Sequence, residues 1–314
     1  MVISIDTKKI IIFMLLAGSF VAGALVFRSS SSSSEFPLLN KAVTVDIGKH
    51  YIINFRPLRL ELEKIQKKYP QKTYVYFSYL NNGSWVGLNE RGEFTAASTL
   101  KVPLAMALFK AVEEGKLSLD DRYALEELDL NDGFGELYKV GADKEFTVEE
   151  LLKIMLEGSD NTAMLAIYTI FQRLGIGDPY DDVYNSLGWD FLNSIPAIDE
   201  VPNYSKITLR ALSNMFLALY NAKFINAEHS NKILEYLTST PFNDKIAAGI
   251  PEGVTVSHKI GISGGDQTFS DCGIIYAPNR NYILCLGSNG GNEKVAAKFM
   301  AEVSAVVYKY VINN

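Results

Sequence analysis

The chain has 314 residues, 48% of them hydrophobic and 21% charged, with a formal net charge of −6. That balance suits an ordinary globular protein whose core needs no staples. The acidic charge and the lack of any Lys/Arg run argue against nucleic acid as a partner, while His50, His229 and His258 lie far apart and beside no cysteine, which argues against a metal-dependent enzyme.

Ile10 to Phe27 is apolar or small throughout, preceded by Lys8-Lys9 and followed by Arg28 and the serine run Ser29 to Ser34. About 18 such residues just cross a hydrocarbon core, so residues 1–28 are expected to be a signal-anchor that leaves the bulk of the chain outside the cell. Ala22-Gly23-Ala24 keeps cleavage and secretion open as the alternative. No cysteine is at hand there for a lipoprotein anchor, and residues 29–50 are a serine-rich spacer and lead-in.

Residues 51–314 are expected to form one domain with a helical insertion over about 98–250. Leu58, Leu62, Ile65 and Tyr69 at helical spacing predict a helix from Arg56 that ends before Pro70. Thr73 to Leu80 is dense in Tyr, Val and Phe, and Asn82-Gly83 turns it into a second strand, Ser84 to Asn89. Ser98 opens an apolar helix that runs to Gly115, where glycine takes the left-handed cap. Thr147-Val148-Glu149-Glu150 is a capping box for a short helix closed by Gly158, so Ser159-Asp160-Asn161 falls on a tight connection before a helix over Thr162 to Leu174.

Gly175 to Tyr204 reads as mostly loop, and Ser205 to Asn221 and His229 to Thr238 as helices. Strands return at Val254 to Gly261, Thr268 to Tyr276 and Tyr282 to Gly287, before a terminal helix over Asn292 to Ile312. Strands at both chain ends with helices between predict an α+β fold of three layers, an antiparallel five-stranded sheet flanked by helices with an all-helical part. If Tyr276 faces Tyr282 across the turn Ala277-Pro278-Asn279-Arg280, Cys272 sits opposite Leu286, one residue out of register with Cys285. The two cysteines are then expected to be buried thiols.

Three clusters carry chemistry: Ser98-Thr99-Leu100-Lys101, Ser159-Asp160-Asn161 and Lys259-Ile260-Gly261. A bare Ser-x-x-Lys arises by accident about once in such a chain, and Ser-Asp-Asn alone makes a good turn or N-cap. Together they supply a hydroxyl nucleophile, amines and hydroxyls to move its proton, and an amide to hold a substrate. Lys101 lies one helical turn from Ser98 and must be neutral at attack, through burial or through Lys259 lowering its pKa.

The segments Phe94 to Pro103 and Ser159 to Ala163 resemble the first and second motifs of class A β-lactamases and the related penicillin-binding proteins. Lys259-Ile260-Gly261 takes the place of their third, Lys-Thr/Ser-Gly, and the resemblance runs from about Phe55 to Asn313. It implies Ser98 as nucleophile, Lys101 as its base, and Ser159 as proton relay between Ser98 and Lys259. It further implies substrate contacts from Asn161, Gly261, Ile262 and Ser263, an oxyanion hole from the Ser98 and Ile262 amides, and no cofactor. Asp160 is expected to tie its turn together.

Two departures stand out. Ile260 replaces the hydroxyl that helps hold the substrate carboxylate, and Gly177 to Ser205 contains no Glu-x-x-Leu-Asn, which leaves Asp199 and Glu200 as weak stand-ins for a deacylating base. The expected substrate is a β-lactam or, alternatively, a D-Ala-D-Ala peptidoglycan stem. A non-catalytic muropeptide-binding module is the third reading.

Overall fold

The computed structural model describes Leu38, Ile52, residues 54–187 and residues 206–314, with the backbone alone at 197–198 and 201–202. The expected anchor over residues 1–28, most of the spacer over 29–50, and Asp199 and Glu200 lie outside the described residues.

Helix α1 (Arg56–Gln66) carries Pro57 in its first turn and buries Leu58, Leu62 and Ile65 along one stripe. Strands β1 (Lys72–Tyr79) and β2 (Trp85–Leu88) form the expected hairpin. After β3 (Glu93–Thr95) a 3₁₀ turn, Ala97–Leu100, leads into α2 (Lys101–Glu113), which Gly115 ends at φ 68°. Ser98 therefore sits in the tight turn before the α-helix, not on its first α-helical turn.

A ribbon of β4 (Arg122–Ala124) and β5 (Glu145–Thr147) precedes α3 (Val148–Glu157), whose Thr147/Glu150 capping box is made in both directions. Next come α4 (Asn161–Arg173) and α5 (Pro179–Ser186). The last is a short helix inside the stretch expected to be loop: Asp178 caps it, Pro179 opens it, and Tyr180, Val183 and Tyr184 bury one face. Strands β6 (Ala197–Ile198) and β7 (Val201–Pro202) pair with each other, and β8 (Lys206–Thr208) pairs with β3. The helix expected from Ser205 thus begins as a strand and becomes α6 (Leu209–Tyr220) only after the Thr208 cap, followed by α7 (Ala227–Thr238).

Strands β9 (Val256–Ser263), β10 (Thr268–Ile275) and β11 (Tyr282–Asn289) and helix α8 (Glu293–Asn313) complete the chain. The sheet is antiparallel, in the order β2-β1-β11-β10-β9. One face, with Val75, Phe77, Leu284, Leu286 and Phe269, packs on Leu58 and Leu62 of α1 and on Phe299, Met300, Val303 and Val307 of α8. The other face meets α6 across β1, β10 and β11 and α7 across β9. This is the expected three-layer α+β arrangement, and it leaves β9 as the outer strand nearest the helical layer.

The cysteine register differs from expectation. Ile275, not Tyr276, faces Tyr282, because the connection from Tyr276 to Asn281 is two residues longer than its four-residue turn, so Cys272 stands directly opposite Cys285. A disulfide joins them. Directly opposed residues share a face, so the single-residue shift brings both sulfurs to one side.

Candidate active site

The site lies where the 3₁₀ turn, the α3–α4 connection and β9 converge. Each of the first two carries a non-glycine residue in the left-handed region: Ala97 at φ 47° and Ser159 at φ 57°. Such backbone costs of order 1–3 kcal/mol per residue and persists only where its surroundings hold it. Around Ser159 they do. Asp160 caps α4 by accepting from Ala163 N–H at 2.9 Å, and its other oxygen accepts from Glu136 N–H at 2.8 Å and Leu137 N–H at 2.9 Å. Asp160 ties the turn to the loop before α3, as expected of it. A Cβ on Gly135, at φ 96°, would lie 2.0 Å from Asp160 Oδ2, so glycine is required there for both backbone angle and space.

Lys101 is fully buried. Its Nζ donates to Ser159 O at 2.6 Å, Asn161 Oδ1 at 2.8 Å and Ser98 Oγ at 3.0 Å, with Ser159 Oγ farther off at 3.5 Å. Burial lowers its pKa from 10.5 to about 8, against the opposing pull of the Asp160 carboxylate. The expected second cause acts in the other direction: Lys259 is the lysine whose pKa falls in response to Lys101. Burial is the larger reason that Lys259 drops well below 10.5, and the charge of Lys101 adds to it.

Lys259 Nζ is buried and has no hydrogen-bond partner among the described residues. Ser159 and Lys259 are therefore not hydrogen-bonded to each other. Asn161 engages both ends of its carboxamide, Oδ1 on Lys101 and Nδ2 on Asn131 Oδ1 at 3.1 Å. Asn131 also braces the second cluster through its N–H, which donates to Thr162 Oγ1 at 2.9 Å. Sequence reasoning passed over Asn131. The turn signature Asn131-Asp132-Gly133 was the available signal.

Gly261 serves the site by close approach. A Cβ there would fall 2.5 Å from Ser270 Oγ and 2.8 Å from Ala96 O, so the missing side chain lets β9 seat against the nucleophile turn. Tyr276 N–H donates to Thr255 O at 3.0 Å across β10 and β9. Alternation from that bond turns the amides of Lys259 and Gly261 toward β10 and those of Ile260 and Ile262 toward the free edge. Ile260 carries its side chain to the face opposite Lys259 and is buried at 2% exposure. Ser263 ends β9, partly exposed. Just beyond it, Asp266 accepts a hydrogen bond from Thr95 Oγ1, to which Lys206 Nζ also donates at 2.8 Å. This bridge across the two walls of the cleft was not read from the sequence.

A three-layer α+β fold holding a serine, a buried lysine three residues on, a Ser-Asp-Asn turn and an edge-strand lysine defines the β-lactamase and penicillin-binding protein superfamily. Residues 57–311 match the model of the β-lactamase enzyme family, and the chain belongs to it. The β-lactamase VEB-1 of Pseudomonas aeruginosa is 21% identical over 281 residues, covering 82% of this chain and 91% of its own. The solved structure of PBP-A superposes with a TM-score of 0.73 at 22% identity, covering 85% of this chain and 100% of its own. A mutant of PBP-A, solved as an acyl-enzyme with penicillin G, gives 0.72 at 23% identity over 82% of this chain and 97% of that one.

Proposed function

We propose that the protein is a membrane-anchored active-site-serine hydrolase that opens the β-lactam amide through an acyl-enzyme on Ser98. The observation that carries this reading is the set of acceptors around Lys101. Ser159 O and Asn161 Oδ1 have no proton to give, so once Lys101 loses its proton they keep the two N–H bonds of the neutral amine. The third position, 3.0 Å from Ser98 Oγ, is left for the lone pair. Ser98 gives its proton to Lys101 as Oγ attacks the carbonyl carbon. The Ser98 and Ile262 amides receive the oxyanion. The carbon–nitrogen bond then breaks, and the proton passes from Lys101 through Ser159 to the leaving nitrogen.

Lys259 is the cation for the substrate carboxylate. A buried ammonium without a partner is costly, and an incoming carboxylate supplies the missing counter-charge. Ile260 adds nothing to that contact, so affinity rests on Lys259, with Ser263 near the same end of the strand. Deacylation is slow in this reading: Asp160, the carboxylate that ties the Ser-Asp-Asn turn, already accepts three backbone amides. The anchor over residues 1–28 puts the enzyme outside the membrane, and the Cys272–Cys285 disulfide suits an oxidising compartment.

The same scarcity of a deacylating base favours a second reading, a D,D-peptidase acting on D-Ala-D-Ala stems through the same acyl-enzyme. The PBP-A mutant, which holds penicillin G covalently, is consistent with either. An intact-mass time course of the full chain with penicillin G separates them. A long-lived adduct that decays while ring-opened product accumulates past one equivalent is expected for the slowly deacylating hydrolase, and a persistent adduct without product points to the peptidase. No adduct at all would contradict both and leave the binding module.

A further inference from the structure

The two ends of an asparagine carboxamide have nearly the same shape, so which end meets a neighbour is settled by the donors and acceptors around it. At Asn161 the choice bears on the base: Oδ1 only accepts from Lys101, whereas Nδ2 in its place would only donate to it. The donor that decides lies outside the three motifs. Gly133 N–H, a backbone group that cannot reverse, lies 2.9 Å from Asn131 Oδ1 and holds that oxygen in place. The same oxygen accepts from Asn161 Nδ2 at 3.1 Å, which leaves Asn161 Oδ1 at the other end, 2.8 Å from Lys101 Nζ. Reversing Asn161 would set two carbonyl oxygens against each other and turn an amide NH2 onto Lys101.

Asn131 is itself held on the helix that carries Asn161. Its N–H donates to Thr162 Oγ1 at 2.9 Å, and that hydroxyl lies 3.3 Å from Asn131 O. Two residues earlier, the fully buried Asp129 accepts from Tyr123 OH and from Thr169 Oγ1, each at 2.7 Å. Thr162 and Thr169 lie about two turns apart on α4, so the segment is fastened along one face of that helix.

We propose that Asn131 is a positioning residue of the active site, which fixes the carboxamide of Asn161 so that its oxygen, not its nitrogen, meets Lys101. The orientation stands on the hydrogen bonds alone, and its consequence for acylation rests on Lys101 being the base, as proposed above. Without the Asn131 oxygen, Asn161 is free to turn its NH2 on Lys101. The ammonium then loses an acceptor, and the neutral amine spends on Asn161 the lone pair that would take the Ser98 proton.

Two variants separate orientation from mere support. Asn131→Leu keeps the shape and removes the acceptor, while Asn131→Asp keeps an oxygen for Gly133 N–H and Asn161 Nδ2 and adds a negative charge. Asp160 and Lys259, the charged groups beside Lys101, are the same in both. In the full chain labelled with ¹³Cε-lysine, with the Lys101 resonance assigned by its loss in Lys101→Arg, the parental midpoint near 8 should fall by about half a unit or more in Asn131→Leu and rise in Asn131→Asp. The plateau rate of acylation by penicillin G should drop about tenfold in Asn131→Leu, and Asn131→Asp should recover most of that loss. Asn131→Ala should follow the leucine variant. An unchanged midpoint in Asn131→Leu, midpoints that move the same way in both variants, or a parental plateau rate in Asn131→Leu would each overturn the proposal. A parent that penicillin G does not acylate would sink the proposed function instead, and the lysine titration would still decide the role of Asn131.

Discussion

Lys101 is the residue on which the chemistry and its pH dependence turn. With a pKa near 8, its neutral fraction grows as pH rises toward 8 and levels off above it. Acylation of Ser98 by a β-lactam should therefore climb with pH and reach a plateau above about 8, measured as the pseudo-first-order rate of adduct formation. A rate flat from pH 6 to 9 would mean that Lys101 is not the base. Lys101→Arg keeps the charge but cannot become neutral, and should slow acylation roughly 10²- to 10⁴-fold.

The same shift fixes the sign of the stability effect. Between about pH 8 and 10.5 the unfolded chain holds a proton on Lys101 that the folded chain has released, so stability rises with pH across that window. Below about 8 both states are charged, and the cost of burying the ammonium is present in full. Lys259, also shifted downward, acts in the same direction. Asp160 is a structural residue by comparison. Asp160→Ala removes the acceptor of three buried or half-buried amides and should cost about 2–4 kcal/mol, seen as a lower urea midpoint.

At the scale of elements, the seating of β9 against the 3₁₀ turn decides whether the two oxyanion donors face one point. Gly261→Ala forces a methyl to within 2.8 Å of Ala96 O and should cost about 1–3 kcal/mol while slowing acylation more than any change on the solvent side of β9. If the variant acylates at the parental rate, the contact between strand and turn does not position the donors. The elements most legible in the sequence were those written in local chemistry, such as the Thr147/Glu150 capping box, the Leu58/Leu62/Ile65 stripe and the Asn82-Gly83 turn. Less legible was whatever depended on distant partners. Lys206–Thr208 is a strand because β3 pairs with it, and Pro179–Ser186 a helix because its aromatic face is buried. The pairing of Cys272 with Cys285 depended on the number of residues in a loop, where a miscount of one inverts the face. Under non-reducing denaturing conditions neither cysteine should react with an alkylating agent, whereas two reactive thiols would refute the bridge.

In the whole molecule the catalytic groups gather at one edge of the sheet. That β9 edge meets the strained turns at Ala97 and Ser159 and the paired lysines. The three motifs marked the site because their residues act together, and the structure brings Ser98, Lys101, Ser159 and Asn161 into one hydrogen-bonded group. Asn131 and Gly135 escaped notice because each supports the site from a segment with no catalytic motif, and the Thr95–Asp266–Lys206 bridge because two of its three members lie outside the motifs. The central claim is that Ser98 is the acylated nucleophile. Its most direct test is tandem mass spectrometry of the protein digested after brief exposure to penicillin G. The account predicts one modified peptide, with the acyl group on Ser98 and none in Ser98→Ala. An acyl group on another residue, or unchanged labelling of Ser98→Ala, would contradict it.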